Sequence, residues 1–320
     1  MRVAHISDCY LPRTGGIELQ VRGLSQAQLA AGESPEIITA TPAARGKAQI
    51  PGETDEGVPI HRLALDLPAG LPISPYVGAR LRDLLLDTAD VVHVHGGLVS
   101  VFAWPALRTA VKAGLPAVVS VHSVWAGWSR AFAAADLVSN WRKWPVLWTA
   151  VSDVAAAPLR DALGGHGEVR VLHNGIDLAG WRPPATTNTD PDEIVIVSVA
   201  RLAVRKRGLA LIDILEQARA KIPASKKIRA VLIGDGPDRS RIERTLERRN
   251  MDWVDCVGWQ DHDQIRAHYE RASIYISPSR LESFGIAALE ARTYGLPVVA
   301  LEDSGTNEFI HDGVEGLLEP

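Results

Sequence analysis

The sequence predicts an α/β protein made of two Rossmann-like halves, and three observations predict it. Short apolar, β-rich runs alternate with helix-like ones along the chain, which is the pattern of parallel βαβ units. Several runs are apolar on both parities, as expected of strands buried on both faces. The alternation pauses once, at WRPPATTNTDPDE (181–193), and then starts again. That stretch is rich in Pro, Thr, Asn and Asp and reads as a linker. The expected domains are therefore residues 1–184 and 185–320.

In the first half the strands are RVAHIS (2–7), PEIITA (35–40), VPIHRL (58–63), DVVHVHG (90–96), PAVVSVHS (116–123), LWTAVS (147–152) and VRVLHNG (169–175). Helical segments at 16–31, 76–88, 99–113 and 153–163 lie between them. In the second half, EIVIVSVARL (193–202), IRAVLIGDG (228–236), DWVDCVGW (252–259), IYISPS (274–279) and LPVVAL (296–301) read as strands, with helices at 208–220 and 237–250. GVEGLLEP (313–320) reads as a turn and one more strand. A doubly wound domain normally closes with a helix after such a strand, so either this half is small or the chain is cut short.

Composition narrows the function class. A chain of 320 residues accommodates two ordinary domains. The net charge of -4 does not mark a general nucleic-acid binder. Cys9 and Cys256 lie far apart with no CxxC or zinc spacing, so no disulfide framework is expected and a reducing cytosol fits. MRVAHIS enters a strand directly, without the apolar h-region of a secretory signal. No apolar run approaches the ~20 residues of a membrane-spanning helix. A cytoplasmic protein is expected, with a peripheral contact at the inner face of the membrane left open.

Several constellations could carry chemistry. Gly15-Gly16 leads from a strand into a helix, where close backbone approach and open N–H groups suit an anion; a plain tight turn is the competing reading. SVARLAVRKRG (198–208) gathers Arg201, Arg205, Lys206 and Arg207 at the C-terminal end of a strand, where open α/β sheets bind ligands. Cations there suit a diphosphate. Arg205 reads as part of a solvated basic loop, and Arg201, directly after the strand, is the stronger candidate. IGDGP (233–237), with Gly234 and Gly236, resembles half of a dinucleotide fingerprint but lacks its third glycine. His93 and His95 face one side of a strand and could be half a metal site, but no partner cluster is evident and a structural role is favoured. His122 ends an apolar strand and is as well read as a satisfied structural histidine.

SRLESFGIAALEARTYGLPVV (279–299) places two carboxylates in an apolar run. Eight helical positions turn through about 800°, leaving Glu282 and Glu290 about 80° apart on a helix, so they do not share a face. A better geometry puts Glu282 in a loop before a helix that starts near Phe284, with the N–H groups of Phe284 and Gly285 offered to an anion. Glu290 then lies two turns into the helix. It either accepts hydrogen bonds from a hydroxyl-rich ligand or a buried donor, or sits on the polar side.

In this order, the pieces resemble a retaining glycosyltransferase of family 4, with the GT-B fold of two Rossmann-like domains facing each other across a cleft. The carrying residues are Gly15-Gly16, VHS with His122, HNGID (173–177), ARLAVRKRG, IGDGP and ESFGIAALE, which matches the family's E-x7-E motif. The resemblance implies transfer of a hexose from a UDP- or GDP-sugar to a sugar, glycan or lipid-linked acceptor, with no metal and no further cofactor. It implies that Arg201 and Lys206 hold the leaving diphosphate, with Gly234 in the donor site. Glu282 would touch the sugar hydroxyls beside the amides of Phe284 and Gly285, and Glu290 the ribose. Gly16 and His122 would reach the donor from the first domain. The family's KG is KRG here, so Lys206 and Arg207 compete for one role; Lys206, five residues after Arg201, is preferred. Family members also run on past residue 320, so their C-terminal helices are expected to be missing. The rivals are a sugar-nucleotide epimerase of the same fold and a non-catalytic nucleotide-sugar-binding protein. Five of nine tryptophans, Trp125, Trp128, Trp141, Trp144 and Trp148, fall in one region of the first half. Core packing explains most of them, and an acceptor or membrane contact near 125–144 is the alternative.

Overall fold

Five of the six residues of β1 (Arg2–Ser7) are buried, as a parallel strand covered on both faces requires. The computed structural model describes residues 1–43, 52–64, 78–183, 190 and 192–320. These divide into two units, Met1–Gly175 and Ile176–Pro320.

In the first unit β1 is followed by α1 (Gly16–Ala30), β2 (Ser34–Thr39), β3 (Thr54–Asp55), β4 (Val58–Arg62), α2 (Gly78–Thr88), β5 (Val91–Gly96), α3 (Ala103–Lys112), β6 (Ala117–Val121), α4 (Ser129–Ser139), β7 (Val146–Ala150), α5 (Asp153–Leu163) and β8 (Val169–Val171). The strands form one sheet in the order β3-β4-β2-β1-β5-β6-β7-β8. Among the described strands only the short β3 pairs antiparallel. Local chemistry sets the helix ends. The Ser152 hydroxyl accepts a hydrogen bond from the Ala155 amide at the start of α5, and Gly164 closes that helix at φ 58, a left-handed stop that favours glycine.

The second unit contains β9 (Glu193–Val199), α6 (Gly208–Lys221), β10 (Lys227–Ile233), α7 (Arg239–Arg248), β11 (Val254–Gly258), α8 (His262–Tyr269), β12 (Ile274–Ile276), α9 (Ile286–Thr293), β13 (Val298–Leu301) and β14 (Gly316–Glu319). Its all-parallel sheet runs β11-β10-β9-β12-β13-β14. Ile196, Leu211, Leu215, Leu232, Ile242 and Leu246 pack α6 and α7 onto β9 and β10 as one apolar cluster. In each unit the strand order reverses beside the first strand, at β1/β5 and at β9/β12. At such a reversal the loops leave in opposite directions and open a crevice at the carboxyl ends of the strands.

The expected boundary at 184/185 lies outside the described residues. Residues 176–183 belong with the second unit. The buried Trp181 explains this, with its ring 5.2 Å from that of His262 and 5.9 Å from that of Tyr269. Two helices lacked a readable apolar stripe in the sequence. In α8 only Ile265 and Tyr269 are buried, and four of the eleven residues of α4 are alanine.

One pair of glycines positions the cationic loop of the second unit. A Cβ on Gly234, at φ 131, would lie 2.0 Å from the Ala200 carbonyl oxygen, and one on Gly236 would lie 2.4 Å from that of Leu202. The turn after β10 thus packs backbone to backbone on the loop after β9. Bonds from Ala200 N to Ile233 O (3.0 Å) and from Leu202 N to Asp235 O (2.9 Å) stitch the two together. Gly234→Ala is expected to cost more than about 2 kcal/mol, combining backbone strain with a steric clash. Gly313→Ala, at φ 73 with nothing within 4 Å of a new Cβ, should cost about 1 kcal/mol. Urea midpoints of the two variants against the parent chain test the difference.

Candidate active site

The second unit builds its site at the β9/β12 reversal. After β9 the chain passes Arg201 and turns through a single 3-10 turn, Val204–Lys206. Arg207, at φ 55, then ends the turn and opens α6. After β12 it runs through Ser279 and Glu282 to α9. The reversal brings together Lys206 and Glu282, which are 76 positions apart. Lys206 Nζ donates to Glu282 Oε2 in an ion pair whose side chains are 21% and 15% exposed. Arg201 is exposed beside it, and a pocket lined by Ser198, Ala200, Arg201, Lys206, Gly208 and Pro278 lies at the strand end.

The two neighbouring cations separate in role. The Arg207 guanidinium donates to the Pro278 carbonyl oxygen at 3.3 Å, so it braces the loop after β12, whereas Lys206 faces the carboxylate. Arg205 is exposed, as a solvated loop residue would be. The Gly234 amide donates to the Gly258 carbonyl at 2.8 Å. That glycine is explained by loop packing, with its N–H already engaged.

The Glu282 loop rests on residues that sequence reasoning missed. Gly305 N donates to the Glu282 carbonyl at 2.8 Å, and a Cβ on Gly305 would lie 2.2 Å from the Ser283 carbonyl oxygen. Only a glycine lets the segment after β13 approach so closely. Gly285 sits at φ 92 as the residue before α9, so the helix begins at Ile286 rather than near Phe284. Phe284 is buried, its ring 5.2 Å from that of Phe309.

Glu290 is not on the polar side of α9. It is 6% exposed, and burial pushes its carboxyl up to about 8. His262 Nε2 lies 3.9 Å from its Oε1, with Trp181 packed on the imidazole. A buried carboxyl that holds its proton near neutrality can both donate and accept a hydrogen bond.

In the first unit, Gly15 precedes α1 in extended conformation, and Gly16 opens the helix. A Cβ on Gly15 would lie 2.6 Å from Glu18 Oε2. The buried Glu18 thus places the helix's own carboxylate at the turn expected to receive an anion. His122 follows β6 and is buried, its amide donating to the Gly96 carbonyl at 2.9 Å. Burial lowers its imidazole to about 4, so it is neutral at physiological pH.

Residues 14–179 match the family described as Glycosyltransferase Family 4, and residues 182–320 match that described as Glycosyl transferases group 1. The chain belongs to glycosyltransferase family 4. Among its relatives, a glycogen synthase of Mycobacterium tuberculosis is 28% identical over 99% of this chain and 82% of its own length. An alpha-monoglucosyldiacylglycerol synthase of Acholeplasma laidlawii is 23% identical, over 99% of this chain and 84% of its own. Among solved structures, Anabaena HepE with UDP and glucose superposes with a TM-score of 0.73 at 18% identity, covering all of this chain and 85% of that one. The fold of this glycosyltransferase is thus GT-B, with two Rossmann-like domains.

The sequence saw no partner for His93 and His95 in the glycosyltransferase, and the structure corrects this. β1 pairs with β5 so that His5 stands opposite His93. Ring nitrogens of His5, His93 and His95 all lie within 4.8 Å of one another. The tryptophan region is mostly core, with Trp125, Trp141 and Trp148 buried and Trp128 54% exposed.

The buried carboxyl gives a pH signature. The unfolded chain releases the Glu290 proton near the ordinary value of 4.5, whereas the folded chain holds it to about 8. Stability from this group is therefore lost as pH rises through that window. Glu290→Gln should melt higher than the parent at about pH 8, with the advantage shrinking towards about pH 5. Paired thermal melts across that range check it, and a pH-independent gap would contradict it.

Proposed function

We propose that the chain is a retaining hexosyltransferase that takes a hexose from a UDP- or GDP-sugar. The observation that carries this reading is the Lys206–Glu282 pair beside Arg201 at the strand-order reversal of the second unit. It sets cations for a leaving diphosphate directly against an acceptor for sugar hydroxyls.

In this reading Arg201 and Lys206 take up charge as the bond to the diphosphate breaks, and fixed cations aimed at developing charge are a large catalytic lever. They supply that charge without a metal. Glu282, held by an ammonium group, acts as a hydrogen-bond acceptor for the sugar rather than as a nucleophile. That favours transfer with the leaving diphosphate and the incoming acceptor on one face of the sugar, hence retention. Glu290 can offer both a proton and a lone pair to a ribose diol. The resemblance adds His122 and Gly16, in the first unit, as donor contacts.

The acceptor class is a sugar, glycan or lipid-linked acceptor. The names of relatives support this breadth, among them a Xanthomonas oryzae GDP-mannose:cellobiosyl-diphosphopolyprenol alpha-mannosyltransferase, 27% identical over 92% of this chain. A cytoplasmic enzyme working at the inner membrane face is in keeping with the described residues, in which no helix is long and apolar enough to cross a membrane.

Glu282→Gln and Lys206→Met are each expected to lower kcat by about 10²–10³, the scale for removing one preorganised polar contact. Both variants should stay folded but melt below the parent, because the remaining charge loses its partner, and full transfer by either removes that residue from the site. Glu290→Ala should instead act mainly on donor affinity. A thermal-shift panel of UDP-, GDP- and ADP-sugars, where a donor at about 100 Kd adds about 2.7 kcal/mol, identifies the base. Product analysis of the best binder with and without an acceptor then decides the reaction. Transfer with retained configuration supports the reading, whereas epimerised nucleotide-sugar or binding without turnover overturns it.

A further inference from the structure

One face of the first unit's sheet carries a polar band where an apolar core would be expected. His5 on β1 stands opposite His93 on β5, and Ser7 stands opposite His95. His95 is level with Ser120 on β6, and Ser120 with Thr149 on β7. All six side chains are buried. Buried polar groups persist when their hydrogen bonds are satisfied, and here the bonds form a continuous line. Gln28 on α1 presents Oε1 to His5 Nε2 at 2.6 Å. His5 Nδ1 meets His95 Nε2 at 3.0 Å, and His95 Nδ1 meets His122 Nε2 at 3.0 Å.

We propose that the carbonyl oxygen of Gln28 sets the tautomer of His122 through this chain of imidazoles, making Gln28, His5 and His95 positioning residues for sugar transfer. The logic is directional. A carbonyl oxygen only accepts, so His5 carries its proton on Nε2 and leaves Nδ1 as an acceptor. His95 must then donate from Nε2, and His122 in turn donates from its own Nε2. His122 Nδ1 is then unprotonated, able to accept a hydrogen bond and unable to donate one. Burial lowers His5 and His122 to about 4 and His95 well below its ordinary value, so the line stays neutral and keeps its direction at physiological pH.

A second, separate line runs beside it, with His93 touching the first only through its ring. Thr149 donates to the Val119 carbonyl at 2.9 Å, Ser120 therefore donates to Thr149 at 2.8 Å, and His93 donates from Nε2 to Ser120 at 2.8 Å. A metal held by the three close histidines would have to break the His5–His95 bond, because both facing nitrogens share one proton.

The proposal rests on the reading of His122 as a group that meets the donor. Its primary test is independent of turnover. Long-range proton–nitrogen NMR correlations on the histidine-labelled full chain should show Nε2–H tautomers at His5, His95 and His122. In Gln28→Leu, with neither donor nor acceptor at the end of the line, His122 should lose that single tautomer; Gln28→Glu should restore it. Gln28 is part-buried on α1, and melting curves confirm that both variants fold. With the best donor of the panel, Gln28→Leu should lower kcat about tenfold, the scale of an outer hydrogen-bonding partner to a functional histidine. KM should stay near the parent value, and Gln28→Glu should recover the rate. A proton on Nδ1 of His5 or His95, an unchanged His122 spectrum in Gln28→Leu, or stoichiometric uptake of added zinc by the parent chain overturns the proposal. If His122→Ala transfers normally, the reading of His122 fails instead, while the NMR result still decides whether the line exists.

Discussion

The contact between Lys206 and Glu282 is the constraint on which the second unit's site depends. Two opposite charges largely withdrawn from water are stable only when each has the other, and removing one partner leaves the remaining charge exposed to the full desolvation cost. The loops that carry them are held accordingly. Gly234 and Gly236 bring the turn after β10 against the loop of Arg201, and Gly305 brings the segment after β13 against the loop of Glu282. Arg207 ties the loops together through the Pro278 carbonyl. The ion pair keeps an ammonium and a carboxylate in reach of each other, so little side-chain ordering would remain for a ligand that used both.

The first unit solves a different problem with neutral groups. Its central strands carry histidines where doubly covered parallel strands normally carry aliphatic residues. Charged imidazoles would be intolerable there, and burial keeps them neutral. Along the line from Gln28 to His122 Nε2, each ring nitrogen has a neighbour within 3.0 Å that offsets its burial. A paired polar line in a low-dielectric interior is rigid and has one preferred arrangement.

Much of this was legible in the residues. The alternation of apolar runs announced parallel sheets, and the cations after one strand with the carboxylate after another marked the ends where ligands gather, because loop position follows from strand order. What stayed hidden were facts of register and approach. Nothing in RVAHIS says that His5 will stand opposite His93, since that depends on β1 pairing with β5 across a long stretch of chain. Gln28 reads as an ordinary helix residue until α1 is laid over the sheet. Gly234 read as a ligand contact because a glycine after a strand has two uses, and the 2.0 Å spacing to Ala200 shows that close packing is one of them here. Glu290 could be placed on the helix but not on its buried side, because α9 has eight residues, three of them alanine, and carries no clear apolar stripe.

Trp181 sits in a stretch whose prolines and threonines read as spacer, yet its ring closes over His262 and Tyr269 and the Arg266 guanidinium lies 5.8 Å from its centroid. Anyone exchanging second units between such enzymes by cutting at the polar stretch would leave this indole on the wrong side of the junction. The transplanted half would carry an uncovered aromatic hollow next to Glu290, and the chimaera's weakness would be mistaken for incompatibility between the two parents. A junction at Ile176 takes the tryptophan along with the surface it was built to cover.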